Sequence, residues 1–314
     1  MRTPTYAFFE GRIVPIEKAN VSIMTHALNY GTGAFAGIRA YWNEDDGELY
    51  IFRALDHFKR LLKSASLLYM DVPYTPESLL EHLLDLLRAE GYEEDIYIRP
   101  LVYKSEKGIG VRLHDLSSDL AMFALPFGRY LPSEEGISVG MSSWRRVDDN
   151  MIPPRGKICG AYVNSALTKT EAHFNGYDDA LVLDEAGHVS EASAANFFII
   201  RNGEAVTTPV YGNILEGITR QTVRILLTRE LGVNVVERPI DRTEVYLADE
   251  IFMCGTGVQI AAITSVDHHL IGGGQMGPIV CQLRTMYFDV VRGNIGRYNH
   301  WCTPVYHHDL VPAH

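Results

Sequence analysis

Apolar positions along the chain alternate between two periods, and the changes of period mark its elements. Residues 6–14 alternate around Glu10-Gly11, which predicts two short strands joined by a tight turn. Residues 37–41 and 49–52 predict a second hairpin across a polar loop. Leu55, Phe58, Leu61, Leu62, Ala65 and Leu68 then recur at helical spacing, leaving His57, Lys59, Arg60 and Lys63 on the other faces of that helix. A second helix opens with Thr75 as N-cap, Pro76 at the first helical position and Glu77 at the positive end of the dipole. It carries Leu79, Leu80, Leu83, Leu84 and Leu87, and Gly91 closes it. Alternation returns over residues 95–103 and 120–125. Two hairpins, two helices and two further strands complete an α+β domain.

Residues 128–136 hold Pro132, two acids and two glycines, the pattern of a linker. Beyond it, residues 137–142 read as a strand and 145–156 as a polar loop leading to Lys157. A helix over 164–174 is ended by Asn175-Gly176. Two hairpins follow, 180–183 with 187–189, and 196–200 with 205–207 through Asn202-Gly203. A helix over about 220–231 packs through Val223, Leu226 and Leu227 and stops at Gly232. Residues 233–236, 250–254 and 261–266 read as strands, Gly272-Gly273-Gly274 as a flexible loop, and a last helix runs from Pro278 to Gly293. No period is visible after about Tyr298. The expected protein is mixed, α+β with α/β character. It has a small N-terminal α+β domain (1–127), a linker (128–136) and a larger C-terminal domain of strands and helices (137–314).

A chain of 314 residues can bury well-formed cores, and 46% hydrophobic with 21% charged residues is ordinary for a soluble enzyme. The net charge of -11 argues against nucleic-acid binding, which needs a basic face. No apolar run is long enough to cross a bilayer, and the first residues lack the apolar core of a signal peptide. A cytoplasmic protein without membrane or nucleic-acid partners is expected. The four cysteines form no Cys-x-x-Cys pair and read as reduced structural thiols. His307, His308 and His314 read as part of a frayed terminus, and no metal site is expected.

The glycines of residues 31–37 suggest GxGxxG, but the third is one residue late, and neither a buried strand nor a clear amphipathic helix flanks them. They serve better as places where the backbone turns or approaches something closely. More chemistry lies in four separated features. Lys157 sits between Gly156 and Gly160. Glu191 lies among small residues before an apolar strand. Ile218-Thr219 open a helix, and Thr256 lies between Gly255 and Gly257. A lysine chosen blind is a solvated surface residue, Glu191 a loop acid, Thr219 a plain N-cap and Arg60 a solvated helix cation. Together they offer an amine, a carboxylate costly to bury without a partner, and a helix start that binds phosphate, which pyridoxal 5′-phosphate (PLP) would use. Tyr162, five residues after Lys157, adds a hydroxyl.

In this order the segments resemble the branched-chain-amino-acid aminotransferases, PLP enzymes of fold type IV. The resemblance covers nearly the whole chain. It rests on residues 26–31 (His-Ala-Leu-Asn-Tyr-Gly), Phe35 and Gly37-Ile38-Arg39, Tyr97-Ile98-Arg99-Pro100, and Gly108-Ile109-Gly110-Val111. Lys157 with Tyr162, Ser190-Glu191, Glu216-Gly217-Ile218-Thr219-Arg220 and Cys254-Gly255-Thr256 continue it. It implies transamination between leucine, isoleucine or valine and 2-oxoglutarate, as in branched-chain amino acid biosynthesis, with Lys157 as Schiff-base and proton-transfer residue. By the same resemblance Glu191 meets the ring nitrogen and Tyr162 the ring oxygen, while Arg60, Ile218, Thr219 and Thr256 hold the phosphate. Tyr97, Thr256 and Gly257 take the substrate carboxylate. Phe35 and Tyr130 line the side-chain pocket, together with Tyr30 and Val111 from a second subunit, and Arg99 receives the γ-carboxylate of glutamate. A homodimer or larger homo-oligomer with shared sites follows.

The chain departs from the family pattern at Ala36 and at Ala194-Ala195, where acids and a glycine are usual, and at Arg129. These changes bear on substrate range, so aromatic amino acids or (R)-amines come into question as side substrates. A D-amino-acid or (R)-amine transaminase on the same fold would need an arginine-and-histidine carboxylate trap, which the residues around Lys104 do not supply. A PLP-dependent lyase of the aminodeoxychorismate type is opposed by Tyr97 and Arg99. A non-enzymatic PLP-binding protein would tolerate loss of Lys157 or Glu191, and both are present.

Overall fold

The structure, a computed structural model, describes residues 3–128 and 135–307. Arg129, Tyr130, most of the expected linker, and His308 and His314 lie outside the described residues. The chain divides into two compact units.

The first unit opens with a hairpin of β1 (Tyr6–Phe9) and β2 (Arg12–Pro15). Its turn has Glu10 at φ 49° and Gly11 at φ 77°, the left-handed pair that matches strand twist. Then come α1 (His26–Tyr30), β3 (Gly33–Phe35), β4 (Ile38–Asn43), β5 (Glu48–Phe52), α2 (Ala54–Ser66), α3 (Pro76–Glu90), β6 (Ile96–Lys104) and β7 (Ser118–Pro126). Among the described residues they build an eight-stranded sheet. Its order is the C-terminal strand Cys302–Pro304, then β5, β4, β6, β7, β1 and β2, with β3 also on β6. Phe58, Leu61 and Ala65 of α2 and Leu79, Leu83 and Leu87 of α3 pack in one core with Ile38, Ile98 and Met122 of the sheet. Each of these side chains other than Ala65 contributes about 1.5–3 kcal/mol of burial. The start of α3 is a reciprocal capping box: Thr75 Oγ1 accepts from the Ser78 N–H at 3.1 Å and Ser78 Oγ from the Thr75 N–H at 3.0 Å.

Two segments distant in sequence complete this unit. The strip Gly156–Gly160 belongs to it, as do the described residues from Asp289 onward. Strand Cys302–Pro304 pairs antiparallel with β5, although residues after Tyr298 show no period in the sequence. Fully buried Glu48 holds it in place by accepting the backbone N–H groups of Val305 (2.9 Å), Tyr306 (3.0 Å) and His307 (2.7 Å). A single cut at residues 128–136 therefore does not describe the division, because backbone pairing draws both later segments to the first sheet. His57, placed by periodicity away from the apolar stripe of α2, is buried.

The second unit takes in the remaining described residues. Its elements are β8 (Ile137–Arg145), α4 (Tyr162–Phe174), β9 (Asp179–Leu183), β10 (Val189–Ala192), β11 (Asn196–Arg201), β12 (Glu204–Thr207), α5 (Ile218–Arg229), β13 (Val235–Glu237), α6 (Arg242–Val245), β14 (Glu250–Gly255), β15 (Gln259–Val266), β16 (His269–Leu270) and most of α7 (Pro278–Val291). Its nine-stranded sheet runs β10-β9-β8-β15-β14-β11-β12-β13, with β16 on β15. β8 is parallel to both neighbours and β12 is parallel to β13, with α5 as the crossover, so the sheet is mixed. Asn202 (φ 51°) and Gly203 (φ 78°) make the tight turn between β11 and β12. Phe197, Ile199, Met253, Ile251 and Ile263 form the centre of one core face. Among the described residues, no helix is long and apolar enough to cross a membrane.

Candidate active site

Lys157 lies on an added edge of the first unit. The Phe35 N–H donates to Lys157 O at 3.0 Å, the Cys159 N–H to Gly33 O at 2.8 Å and the Gly160 N–H to Gly31 O at 3.1 Å, while the Lys157 N–H donates to Ser64 Oγ at 3.1 Å. The glycines permit this approach. Gly31 is left-handed at φ 67°, and a Cβ on it would lie 2.8 Å from Gly160 Cα. The backbone of half-buried Lys157 is thus fixed from two sides, by β3 and by α2.

Lys157 Nζ is 5.1 Å from the centroid of the Phe35 ring, and the guanidinium carbon of Arg99 is 4.3 Å from the same centroid. Phe35 is therefore an aromatic surface shared by two cations. Arg99 Nη2 donates to the Tyr97 hydroxyl at 2.9 Å, whereas its buried Nε has no hydrogen-bond partner. Gly37 makes this arrangement possible, since a Cβ there would run into the Tyr97 hydroxyl. Arg60 lies on α2 one turn before Ser64. The Tyr30 hydroxyl accepts from the Gly110 N–H at 3.1 Å, and Val111 is 81% exposed. His26 holds the same loop, with Nδ1 2.7 Å from Thr32 Oγ1 and Nε2 2.8 Å from Gly110 O.

In the second unit the expected residues gather at one end of the sheet. Glu191 lies near the end of β10, Asn196 begins β11 opposite Cys254, Gly255 ends β14, and Thr256 and Gly257 lie in the turn from β14 to β15. Buried Glu191 pairs with Arg146, Nη2 to Oε1 at 2.8 Å. Its Oε2 accepts from Asn196 Nδ2 and from the Leu215 N–H, both at 3.3 Å. Asn196 Nδ2 also donates to Leu215 O at 2.9 Å, so the chain entering α5 is tied to this carboxylate. Gly217, the N-cap of α5, has no side chain to cap the helix, and a Cβ on it would collide with Asn196 Oδ1. Ile218 and Thr219 at the helix start are both buried. A buried helix N-terminus whose N-cap has no side chain is suited to an anion. Tyr162 is the first residue of α4.

Arg146 lies within a stretch that reads only as polar loop, and nothing local marks it as the partner of Glu191. Helical period sets His57 on an outer face, and the structure buries it. Burial, with Arg60, Arg53 and Lys157 adding to it, holds the His57 imidazole well below its usual range, so it stays neutral. The cysteines are free thiols; burial pushes Cys254 and Cys302 up to about 12, which leaves them unreactive.

The family model for amino-transferase class IV matches residues 33–266. A probable branched-chain-amino-acid aminotransferase of Aquifex aeolicus is 50% identical over 301 residues, 96% of this chain and 97% of that protein. Among solved structures, the branched-chain aminotransferase of Thermoproteus uzoniensis with norvaline superposes at a TM-score of 0.92 with 42% identity, covering 97% of this chain and all of that one. The branched-chain amino acid aminotransferase of Thermobaculum terrenum in its PLP form gives 0.93 with 39% identity, covering 98% of this chain and all of that one. The fold, the order of the chemical groups and these likenesses agree: the chain belongs to the amino-transferase class IV family and, within it, to the branched-chain-amino-acid aminotransferases.

Proposed function

We propose that the chain is a PLP-dependent transaminase that moves an amino group between L-leucine, L-isoleucine or L-valine and 2-oxoglutarate. The observation that carries this reading is the buried Glu191–Arg146 pair, linked through Asn196 and Leu215 to the start of α5, whose N-cap Gly217 has no side chain. It joins a carboxylate suited to a protonated ring nitrogen to a helix start suited to a phosphate, the two polar ends of one flat cofactor. Bound PLP supplies an electron sink for charge developing at the substrate Cα.

The chain's own residues do the rest. Lys157 Nζ would hold the cofactor and, once released, carry the proton at Cα, on a backbone anchored by Phe35 and Ser64. Glu191 would stabilise the protonated ring nitrogen, and Tyr162 would donate to the ring oxygen. Arg60, Ile218, Thr219 and Thr256 would hold the phosphate. Tyr97, Thr256 and Gly257 would orient the substrate carboxylate. The Phe35 ring offers an apolar wall to aliphatic side chains, while the Arg99 guanidinium over that ring would receive the second carboxylate of glutamate. Tyr130 belongs to the same pocket in this reading. Tyr30 and Val111 would line the pocket of a second subunit, giving a cytoplasmic homo-oligomer. The 81% exposure of Val111 and 84% of Ile109, on a loop clamped by His26 and Tyr30, support that part.

The test is spectroscopic. The purified protein should absorb as a PLP enzyme, and L-leucine should convert that band to the amine form of the cofactor, with 2-oxoglutarate restoring it. D-Alanine and (R)-1-phenylethylamine should leave it unchanged. A protein without the chromophore, or one converted by D-alanine rather than L-leucine, would overturn the proposal.

A further inference from the structure

Asn196 is a buried polar side chain to which the proposed chemistry gives no role. It is 6% exposed, and its amide sits between Glu191 and the start of α5. Nδ2 donates to Glu191 Oε2 at 3.3 Å and to Leu215 O at 2.9 Å. Both partners are acceptors, which fixes the orientation of the amide and turns Oδ1 towards Gly217, the N-cap of α5. The Leu215 N–H donates back to Glu191 Oε2 at 3.3 Å. The carboxylate, the amide and the Leu215 peptide thus close a ring of three hydrogen bonds.

Such a ring couples what it joins. Glu191 Oε1 is taken by Arg146, whose Nε donates to Asn213 O at 3.1 Å. The body of α5 is fixed separately, by buried Arg220, which donates to Thr208 O at 2.9 Å and to Glu237 Oε2 at 2.8 Å. A shift of the approach to the helix, residues 215–217, therefore changes the hydrogen bonds on Glu191 Oε2, and a turn of that carboxylate pulls on the approach. We propose that Asn196 is a positioning residue that couples the two ends of the cofactor site, so that an anion held at the start of α5 orders the Glu191 carboxylate for the ring nitrogen. This rests on the PLP reading above and deepens it: the phosphate and the ring bind cooperatively. Gly217 belongs to the same device, because a Cβ there would displace Asn196 Oδ1 and open the ring.

The test takes the cofactor apart. Pyridoxal carries the ring, and the phosphite dianion stands in for the phosphate without its bridging oxygen. Wild-type apoprotein is titrated with pyridoxal in the absence and in the presence of saturating phosphite. Phosphite should tighten pyridoxal binding about five-fold or more, the lower end of coupling between two sites. Asn196→Leu keeps the size of the side chain but lacks the amide. In it, pyridoxal and phosphite should each still bind, the tightening should disappear, and PLP affinity should fall by the same factor. Asn196→Ala should behave alike, and thermal melting of both apoproteins is the folding control. A role in packing alone would weaken pyridoxal equally with and without phosphite and leave the tightening intact. Tightening that survives in the variants, or that is absent from the wild type, overturns the proposal. Wild-type apoprotein that bound neither PLP nor pyridoxal would instead refute the PLP reading itself.

Discussion

Nη2 of Arg146 lies 2.8 Å from Oε1 of Glu191, and both side chains are nearly buried. Removing one partner strands the other charge, which costs about 3–5 kcal/mol. Arg146→Met should therefore lower the unfolding free energy by about that amount in urea melts and release PLP. Glu191→Gln keeps the shape but leaves the buried Arg146 charge unpaired, so it too should lose stability in urea melts, and turnover with L-leucine per folded, PLP-loaded protein should fall about a hundred-fold or more. Full turnover in Glu191→Gln would remove the carboxylate from the mechanism.

Arg99 and Phe35 share one contact, guanidinium over ring at 4.3 Å. If Arg99 serves the second carboxylate and the ring serves aliphatic chains, Arg99→Ala should discriminate between acceptors. kcat/KM for 2-oxoglutarate should fall about a hundred-fold, the loss of a buried charged contact, and for 2-oxo-4-methylpentanoate less than about ten-fold. Equal losses for the two oxo acids would show that this division of labour is wrong.

Gly37 leaves room for the Tyr97 hydroxyl, which accepts from Arg99. Gly37→Ala should push that hydroxyl aside and lower kcat/KM for L-leucine about ten- to a hundred-fold, with the PLP absorbance unchanged. Altered absorbance together with the kinetic loss would indicate a general disturbance of the unit.

Acid stability has a local source in the second unit. Hydrogen bonds from Arg238 (2.8 and 2.6 Å), then one from Arg201 (2.8 Å), hold the Glu244 carboxyl down at about 2. A depressed carboxylate stabilises the fold fully above its unfolded value near 4.5, and that share is lost as pH falls towards about 2. With both arginines partly exposed to solvent, about 1–2 kcal/mol is at stake. Glu244→Gln should be less stable than wild type at pH 7, and the gap should close between pH 4.5 and 2 in denaturant titrations. A constant gap across that range would exclude Glu244 as the source.

Much of the fold is legible because its signals are local. Thr75, Pro76 and Gly91 delimit α3 through the hydrogen bonds of its own ends, and Asn202-Gly203 sets a hairpin by the backbone angles those residues accept. The resemblance likewise named Lys157, Glu191, Ile218, Thr219 and Thr256 in order, and it pointed to the family to which the chain belongs.

What the sequence determined by itself is the set of elements and the chemical groups available, since propensity, capping and period act over a few residues. Tertiary structure decided which groups meet. The edge that carries Lys157 forms by pairing with β3, and the last strand by pairing with β5 and binding Glu48. Arg146 finds Glu191 across the sheet, and His57 is buried although its period predicted otherwise. The reason is physical. Hydrophobic period reports one buried face of an element, whereas an ion pair, an added strand or a second covered face depends on chain that arrives from far away, and no local pattern records that arrival.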